Sequence, residues 1–349
     1  LLDLLLELRA NGVSAVLISH KLGEVARVAD RITVLRDGRA VDTLDCKAGA
    51  VEEDRIIRKM VDRDLEHRFP KREPNIGEVV FKVDNWSVYH PQHADRQVIR
   101  NVDFHVRRGE ILGIAGLMGA GRTEFAMSLF GRSWGRKITG RAMLHGHKVD
   151  LSTVSRAIDA GLAYVTEDRK QFGLLLADDV RKNITLANLR SVATGRVIDD
   201  IKELRVASDY RNRMRIRCSD VYQTSGNLSG GNQQKVVLSK WLFTDPKILI
   251  LDEPTRGIDI GAKYEIYCII NELADAGKAV IVISSEMPEL LGICDRIYVM
   301  NEGAFVGEFD RAEATQEKIM RVIVRKGERL VDRSLERKLE EKLLGEVHP

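Results

Sequence analysis

This sequence has few cysteines, no long hydrophobic run and almost no excess of charge of either sign. Its four cysteines, Cys46, Cys218, Cys268 and Cys294, are scattered without a C-x-x-C spacing. That scatter points to a reduced, intracellular chain and away from a thiolate metal site. The longest apolar stretches, such as AVIVI at 279–283, are strand-sized. None approaches the roughly 20 residues that cross a bilayer, so any membrane association has to come through partners. Lys+Arg total 55 against 52 Asp+Glu, and a net charge of +3 is too small to argue for a nucleic-acid partner. The opening LLDLLLELRANG has neither an initiator Met nor a charged n-region, so it reads as the interior of a longer protein rather than a secretion signal.

What is present begins with a repeat. Residues 5–45 superpose on residues 270–310 without a gap, at an offset of 265 (285 minus 20). Glu7 falls on Glu272, Gly12 on Gly277, Ser19 on Ser284, Asp30-Arg31-Ile32 on Asp295-Arg296-Ile297 and Gly38 on Gly303. Each copy reads as helix, glycine stop, buried strand, short helix, strand and a turn at Asp-Gly or Glu-Gly. The inference is a tandem protein: residues 1–65 are the end of a first copy, 66–77 a linker, and 78–326 a complete second copy. Residues 327–349 form a charged tail, helical or disordered, in which SLERKLEEKLL has helical charge spacing.

The complete copy carries three chemical motifs. A strand, EILGIAG, runs into GLMGAGRT at 116–123, and TEFAMSLFG follows as a helix. Strand, glycine loop and helix are what a phosphate loop needs, because backbone N–H groups and the positive helix end hold anionic oxygens. Thr123 can offer its hydroxyl to Mg2+. Arg122 stands where such loops carry lysine. At 247–259, KILILDEPTRGID brings Asp252 and Glu253 to the C-terminal edge of a buried strand, where ligands of open α/β sheets sit. An acidic pair there suits a division of labour between holding hydrated Mg2+ and polarising a water. LSGGNQQK at 228–235 precedes the helix QKVVLSKWLF and makes a second anion-binding terminus.

Together these motifs resemble the nucleotide-binding domain of an ABC transporter. LSGGNQQK, GLMGAGRTE, VTEDRK and LDEPTRGIDIGAKYEIY are similar to the second cassette of tandem ATPases that energise bacterial monosaccharide importers, nearest the xylose and multiple-monosaccharide branch. The resemblance covers nearly the whole chain except 327–349. It implies a P-loop NTPase of the α/β class, with a mostly parallel core sheet, an antiparallel β subdomain and a helical signature subdomain. It also implies ATP and Mg2+ as cofactors, with Gly116, Gly119, Ala120, Gly121, Arg122, Thr123, Tyr89, Glu167 and Asp252 around the nucleotide. Thr123 and Asp252 would hold the metal. Leu228, Ser229, Gly230, Gly231 and Gln233 would face ATP on the partner cassette, either a first cassette of the same polypeptide or a second copy. Glu253 and the switch histidine His20 would be catalytic.

By the same resemblance the partners are an integral membrane permease and, indirectly, a periplasmic sugar-binding protein, with no nucleic acid. The location would be the cytoplasmic face of the bacterial inner membrane. Three departures weaken the second copy's own pocket for hydrolysis: Arg122 for lysine, Ser285 where the first copy has His20, and Glu167 where many cassettes have glutamine. Arginine is a planar fork and not equivalent to the compact lysine ammonium. Two other readings stay open. A soluble tandem ATPase acting on ribosomes or nucleic acid predicts long basic insertions and a histidine in both switch positions. A non-hydrolysing cassette would supply only its signature and scaffolding. LHGH at 144–147 reads as a hairpin turn with two surface histidines rather than a metal site.

Overall fold

The computed structural model describes residues 2–19, 22–36, 39–46, 56 and 69–324. His20, the expected turn at Asp37-Gly38, linker residues 66–68 and the tail beyond 324 lie outside the described residues. The chain divides into two compact units, one running to Lys71 and including Gly257–Cys268, the other made of Arg72–Arg256 and the residues from Ile269 onward.

The first unit has helices α1 (Leu2–Ala10) and α2 (Leu22–Val28), joined at their surface by the Arg27–Asp3 pair at 2.8 Å. The hairpin β1 (Arg31–Arg36) and β2 (Arg39–Asp45) follows. Ile32, Val34, Leu44 and Ile56 make its small core, with Val25, Ala29, Cys46 and Ile260 packed against it. The helix, short helix and hairpin of the first repeat are therefore formed. Its expected buried strand is not: residues 13–19 have no regular structure, and Val16 and Ile18 are 93% and 92% exposed. The reason is pairing. The matching strand of the second repeat lies between two neighbours drawn from residues 111–115 and 248–252. Among the described residues nothing offers residues 13–18 an equivalent ladder, and an apolar strand without neighbours leaves its backbone groups to water.

The second unit starts with β3 (Val79–Tyr89) and β4 (Gln97–Arg107), an antiparallel pair. Next come β5 (Ile111–Ala115), the glycine loop and α3 (Arg122–Leu129). Strands β6 (Arg136–Leu144) and β7 (His147–Lys148) return to the antiparallel sheet, whose order is β4-β3-β6-β7. Their turn has His145 at φ 48° and Gly146 at φ 79°, the left-handed pair that a two-residue hairpin favours. Then follow α4 (Val154–Asp159) and β8 (Leu162–Val165), and a helical stretch with α5 (Val180–Thr185), the two-residue strands β9 (Ala193–Thr194) and β10 (Val197–Ile198), α6 (Asp200–Arg213) and α7 (Gly230–Leu242). The chain closes through β11 (Ile248–Asp252), α8 (Ile260–Asp275), β12 (Ala279–Ile283), α9 (Met287–Ile293), β13 (Arg296–Asn301), β14 (Ala304–Asp310) and α10 (Gln316–Val324).

The core sheet has the order β14-β13-β5-β12-β11-β8, parallel except for the β13–β14 hairpin. Every residue of β5, β11 and β12 is buried. Continuous apolar runs of that kind form strands covered on both faces, and each buried Leu or Ile contributes about 1.5–3 kcal/mol. Between the two sheets sits an aromatic box. The Phe104 ring lies 5.7 Å from Phe125 of α3 and 5.8 Å from Tyr298, which is 4.8 Å from Phe305.

Asp295 and Arg296, the residues matched across the repeat, are structural here. Arg296 is buried, pairs with Glu110 at 2.7 Å and Glu308 at 2.6 Å, and donates to the His105 carbonyl. Asp295 accepts from the Ile111 amide at 2.9 Å and pairs with Arg72 at 2.8 Å. Arg72 comes from the expected linker, yet its side chain is only 3% exposed. It also reaches Asp275 and the Gly109 carbonyl, so the chain is anchored ahead of the first strand.

Candidate nucleotide site

Strand β5 delivers the glycine loop to the C-terminal edge of the parallel sheet. Gly119 and Gly121 have φ of 80° and 101°, a conformation costly for any other residue. At Gly116 a Cβ would stand 2.6 Å from the Met300 carbonyl oxygen, so only glycine fits. Ala120 is buried beneath the turn. Gly121 caps α3 without a side-chain hydrogen bond, which leaves the amides of the first helical turn for an anion.

Arg122 does not extend along that loop. It is buried, its Nη1 donates to the Ser284 carbonyl at 2.5 Å, and its guanidinium stands 3.7 Å from Glu253 Oε1. The side chain in the lysine position therefore points at the acidic pair and the end of β12.

Asp252 ends β11 and is fully buried. Its Oδ2 accepts from the Tyr164 hydroxyl at 2.9 Å, and its Oδ1 is buried without a hydrogen-bond partner. Burial pushes the carboxyl above the ordinary range, while Thr123, Tyr164 and Arg122 pull it back toward the charged form. A buried acidic oxygen with no donor, beside a threonine hydroxyl, is the donor set a hard cation takes. These residues fit Mg2+. Glu253, at φ 48°, accepts from the Ser285 hydroxyl at 3.0 Å, and its own carboxyl is raised by burial against the pull of Ser285 and Arg122.

At the second glycine motif, Leu228 is buried and Ser229 is exposed at the N-cap of α7, with Gly231 already inside. Ser229 makes no cap bond. Its Oγ accepts from Asn232 Nδ2 at 2.9 Å, which leaves the Gly230 end of the helix open. Gln233 is buried, donating to the Ser225 carbonyl at 3.2 Å and accepting from Arg169 at 3.4 Å. Further along α7, Lys240 is buried and donates to the Gly173 carbonyl at 2.5 Å, and burial lowers its pKa to about 8.

Glu167 is ion-paired with Arg256, three residues past Glu253, and Arg169 donates to the Arg256 carbonyl at 2.8 Å. The VTEDRK turn is thus tied to both the acidic strand and the signature helix. Tyr89 ends β3 with Lys137 5.5 Å over its ring. The structure brings Arg122, Thr123, Asp252 and Glu253 together, and links Glu167 and Gln233 through Arg169; His20 lies outside the described residues. Sequence reasoning missed Tyr164, Ser284 and Arg256 as neighbours of the site. The available signal for Tyr164 was a hydroxyl inside the otherwise apolar strand LAYV beside the acidic one.

The ABC transporter family description matches residues 99–256, from β4 through the glycine loop and signature to the acidic strand. Residues 99–256 belong to this family. It is 59% identical, over 93% of its length, to the L-arabinose transport ATP-binding protein AraG of Geobacillus stearothermophilus. It is 52% identical over 92% to the xylose import ATP-binding protein XylG of Thermoanaerobacter pseudethanolicus, and 45% identical over 92% to the ribose import ATP-binding protein RbsA of Bacillus subtilis. The chain spans 63% of the length of each of these relatives. Two ATP-binding cassettes are among the solved structures that share its fold. One is a nucleotide-free ATP-binding cassette from an ABC transporter, with TM-score 0.59, 18% identity and coverage of 71% of this chain and 96% of that one. The other is the cassette MJ1267, with TM-score 0.61, 18% identity and coverage of 71% and 100%. The cassette therefore has the α/β P-loop NTPase fold: a mostly parallel core sheet, an antiparallel β sheet and a helical segment carrying the signature.

Proposed function

We propose that the cassette is part of an ATPase subunit that energises monosaccharide import. It would work with a first cassette of the same polypeptide or a second copy, an integral membrane permease at the cytoplasmic face of the inner membrane and, through it, a periplasmic sugar-binding protein. The arabinose, xylose and ribose import named for its relatives supports the substrate class. The internal repeat, residues 5–45 against 270–310, supports residues 1–65 as the end of a first cassette, 66–77 as linker and 78–326 as the second.

The amides of Gly116–Gly121 would hold the phosphates, and Thr123 and Asp252 the Mg2+ whose charge offsets that of the triphosphate. Glu253 would orient water, with Glu167 and Tyr89 at the margin. The observation that carries the reading of this pocket as a weak hydrolytic site is the occupation of Glu253. Ser285 donates to one carboxylate oxygen, and Arg122 lies beside the other. A base held in that way, without a histidine opposite and without a lysine reaching to the γ-phosphate, binds nucleotide better than it turns it over. Phosphoryl transfer depends on charge stabilisation and positioning, which those groups supply. The signature tip Leu228–Gly231, with Gln233 behind it, serves the ATP seated on the other cassette, where His20 of the first repeat is the switch histidine. Hydrolysis is asymmetric: one composite site turns over and the GLMGAGRT site mainly holds ATP.

The test is ATPase and sugar uptake by the full-length subunit with its permease in vesicles. Gly230→Asp is expected to abolish both, whereas Arg122→Ala and Glu253→Gln change turnover by no more than about threefold, because a transition-state contact that is already missing cannot be lost again. Reversed phenotypes would assign hydrolysis to the wrong site. The isolated 349-residue chain is expected to show little or no turnover.

A further inference from the structure

Strands β8 and β11 are parallel neighbours in the register Ile250↔Tyr164 and Leu251↔Val165. Successive side chains alternate faces, so Tyr164 shares a face with Ile250 and with Asp252 two residues further on. Pairing with β8 stops at Leu251, while Asp252 stays paired with Ile283 of β12 and has the Tyr164 hydroxyl as its diagonal neighbour on the β8 side. The tyrosine ring is 6% exposed and packs against Phe130 at 5.8 Å, so it has little freedom to swing. Its hydroxyl donates to one oxygen of Asp252 at 2.9 Å, and the other oxygen is left without a partner.

A buried carboxylate on a short aspartate stem can rotate about its terminal bond and interchange its oxygens. A fixed donor on one oxygen removes that freedom and aims the second lone-pair set. We infer that Tyr164 is a positioning residue for the metal: its hydroxyl locks the Asp252 carboxylate so that Oδ1 is presented to the Mg2+ of a bound nucleotide. This inference rests on the reading of GLMGAGRT as a Mg-nucleotide site and adds a residue that lies just ahead of the VTEDRK turn and outside the motifs quoted for the site. Groups that orient a metal ligand from behind commonly contribute 10–100-fold to metal affinity.

The experiment measures binding of ATP to the full chain by a fluorescent analogue, once in EDTA and once in excess Mg2+. The ratio of the two dissociation constants is the metal linkage. Tyr164→Phe is expected to reduce that linkage by about tenfold or more while leaving affinity in EDTA unchanged. Asp252→Asn should remove the linkage, and adding Tyr164→Phe to it should then change nothing further. Phe130→Leu disturbs the packing of the tyrosine without touching its hydroxyl and should keep the full linkage. The inference is overturned if Tyr164→Phe keeps the parental ratio, if Phe130→Leu lowers it equally, or if Tyr164→Phe does not fold. The last result would make the hydroxyl a requirement of the fold instead. Failure of the parent chain to bind ATP in either condition would instead remove the nucleotide-site reading itself.

Discussion

Ser285 donates its hydroxyl to Glu253 Oε2 at 3.0 Å, from the position that the repeat aligns with His20. A serine there satisfies the carboxylate and reaches no further. Loss of that donor, in Ser285→Ala, leaves a buried carboxylate oxygen short of a partner and is expected to cost about 1–3 kcal/mol in chemical denaturation.

The same carboxylate makes stability depend on pH. Burial raises the folded-state pKa of Glu253 and of Asp252 above the ordinary carboxylate value, so in that window the folded chain holds more protons than the unfolded one. Stability is therefore greater on the acid side of the window and falls as pH rises through the raised values. Glu253→Gln should gain stability relative to the parent above the window, with the difference shrinking as pH is lowered through it. A pH-independent difference would contradict the burial described.

Lys240 gives the opposite slope at higher pH. Its folded pKa is lowered from 10.5 to about 8 by burial, so the unfolded chain binds more protons between those values. Stability should rise with pH across that interval, by an amount on the order of 3 kcal/mol for a shift of this size. Lys240→Met should remove this rise in urea titrations compared across the same interval.

Arg296 is the cation shared by Glu110 and Glu308, and Glu110 is only 1% exposed. Arg296→Ala strands that carboxylate and is expected to destabilise the chain by about 3–5 kcal/mol. Combining it with Glu110→Leu should recover part of the loss, since the uncompensated buried charge is then gone. Calorimetric melting of the single and double variants measures both.

Val16 and Ile18 test the tandem reading. Both are almost fully exposed, so Val16→Thr with Ile18→Thr should change the stability of this chain by no more than about 0.5 kcal/mol. In a polypeptide of the relatives' full length, where a neighbouring sheet can cover them, the same pair should cost about 1.5–3 kcal/mol per residue. Equal small effects in both would argue against a strand there.

The elements that position the site were legible because their sequence signals are local. ILILD and AVIVI are uninterrupted apolar runs, the glycines of GLMGAGRT stand where positive φ or close approach demands them, and the repeat announced the β13–β14 hairpin. What stayed hidden depended on neighbours far apart in sequence. Nothing near Arg122 reveals that its guanidinium turns to Ser284, 162 residues away, or that Tyr164 meets Asp252 across 88 residues. Arg72 looked like one charge among many in a proline-containing linker, and only the placement of Asp275 and Asp295 made it an anchor. Residues 13–18 failed for a related reason: periodicity predicts what a segment prefers, and a parallel strand exists only when its neighbours do.

The aromatic box of Phe104, Phe125, Tyr298 and Phe305 has a bearing on how the molecule breathes. Because the helix that follows the glycine loop is wedged by Phe125 into rings from both sheets, its amides cannot loosen without disturbing either layer. In hydrogen–deuterium exchange, α3, β4 and the β13–β14 hairpin should become accessible together, as one cooperative opening, while the helical stretch that bears LSGGNQQK exchanges on its own schedule.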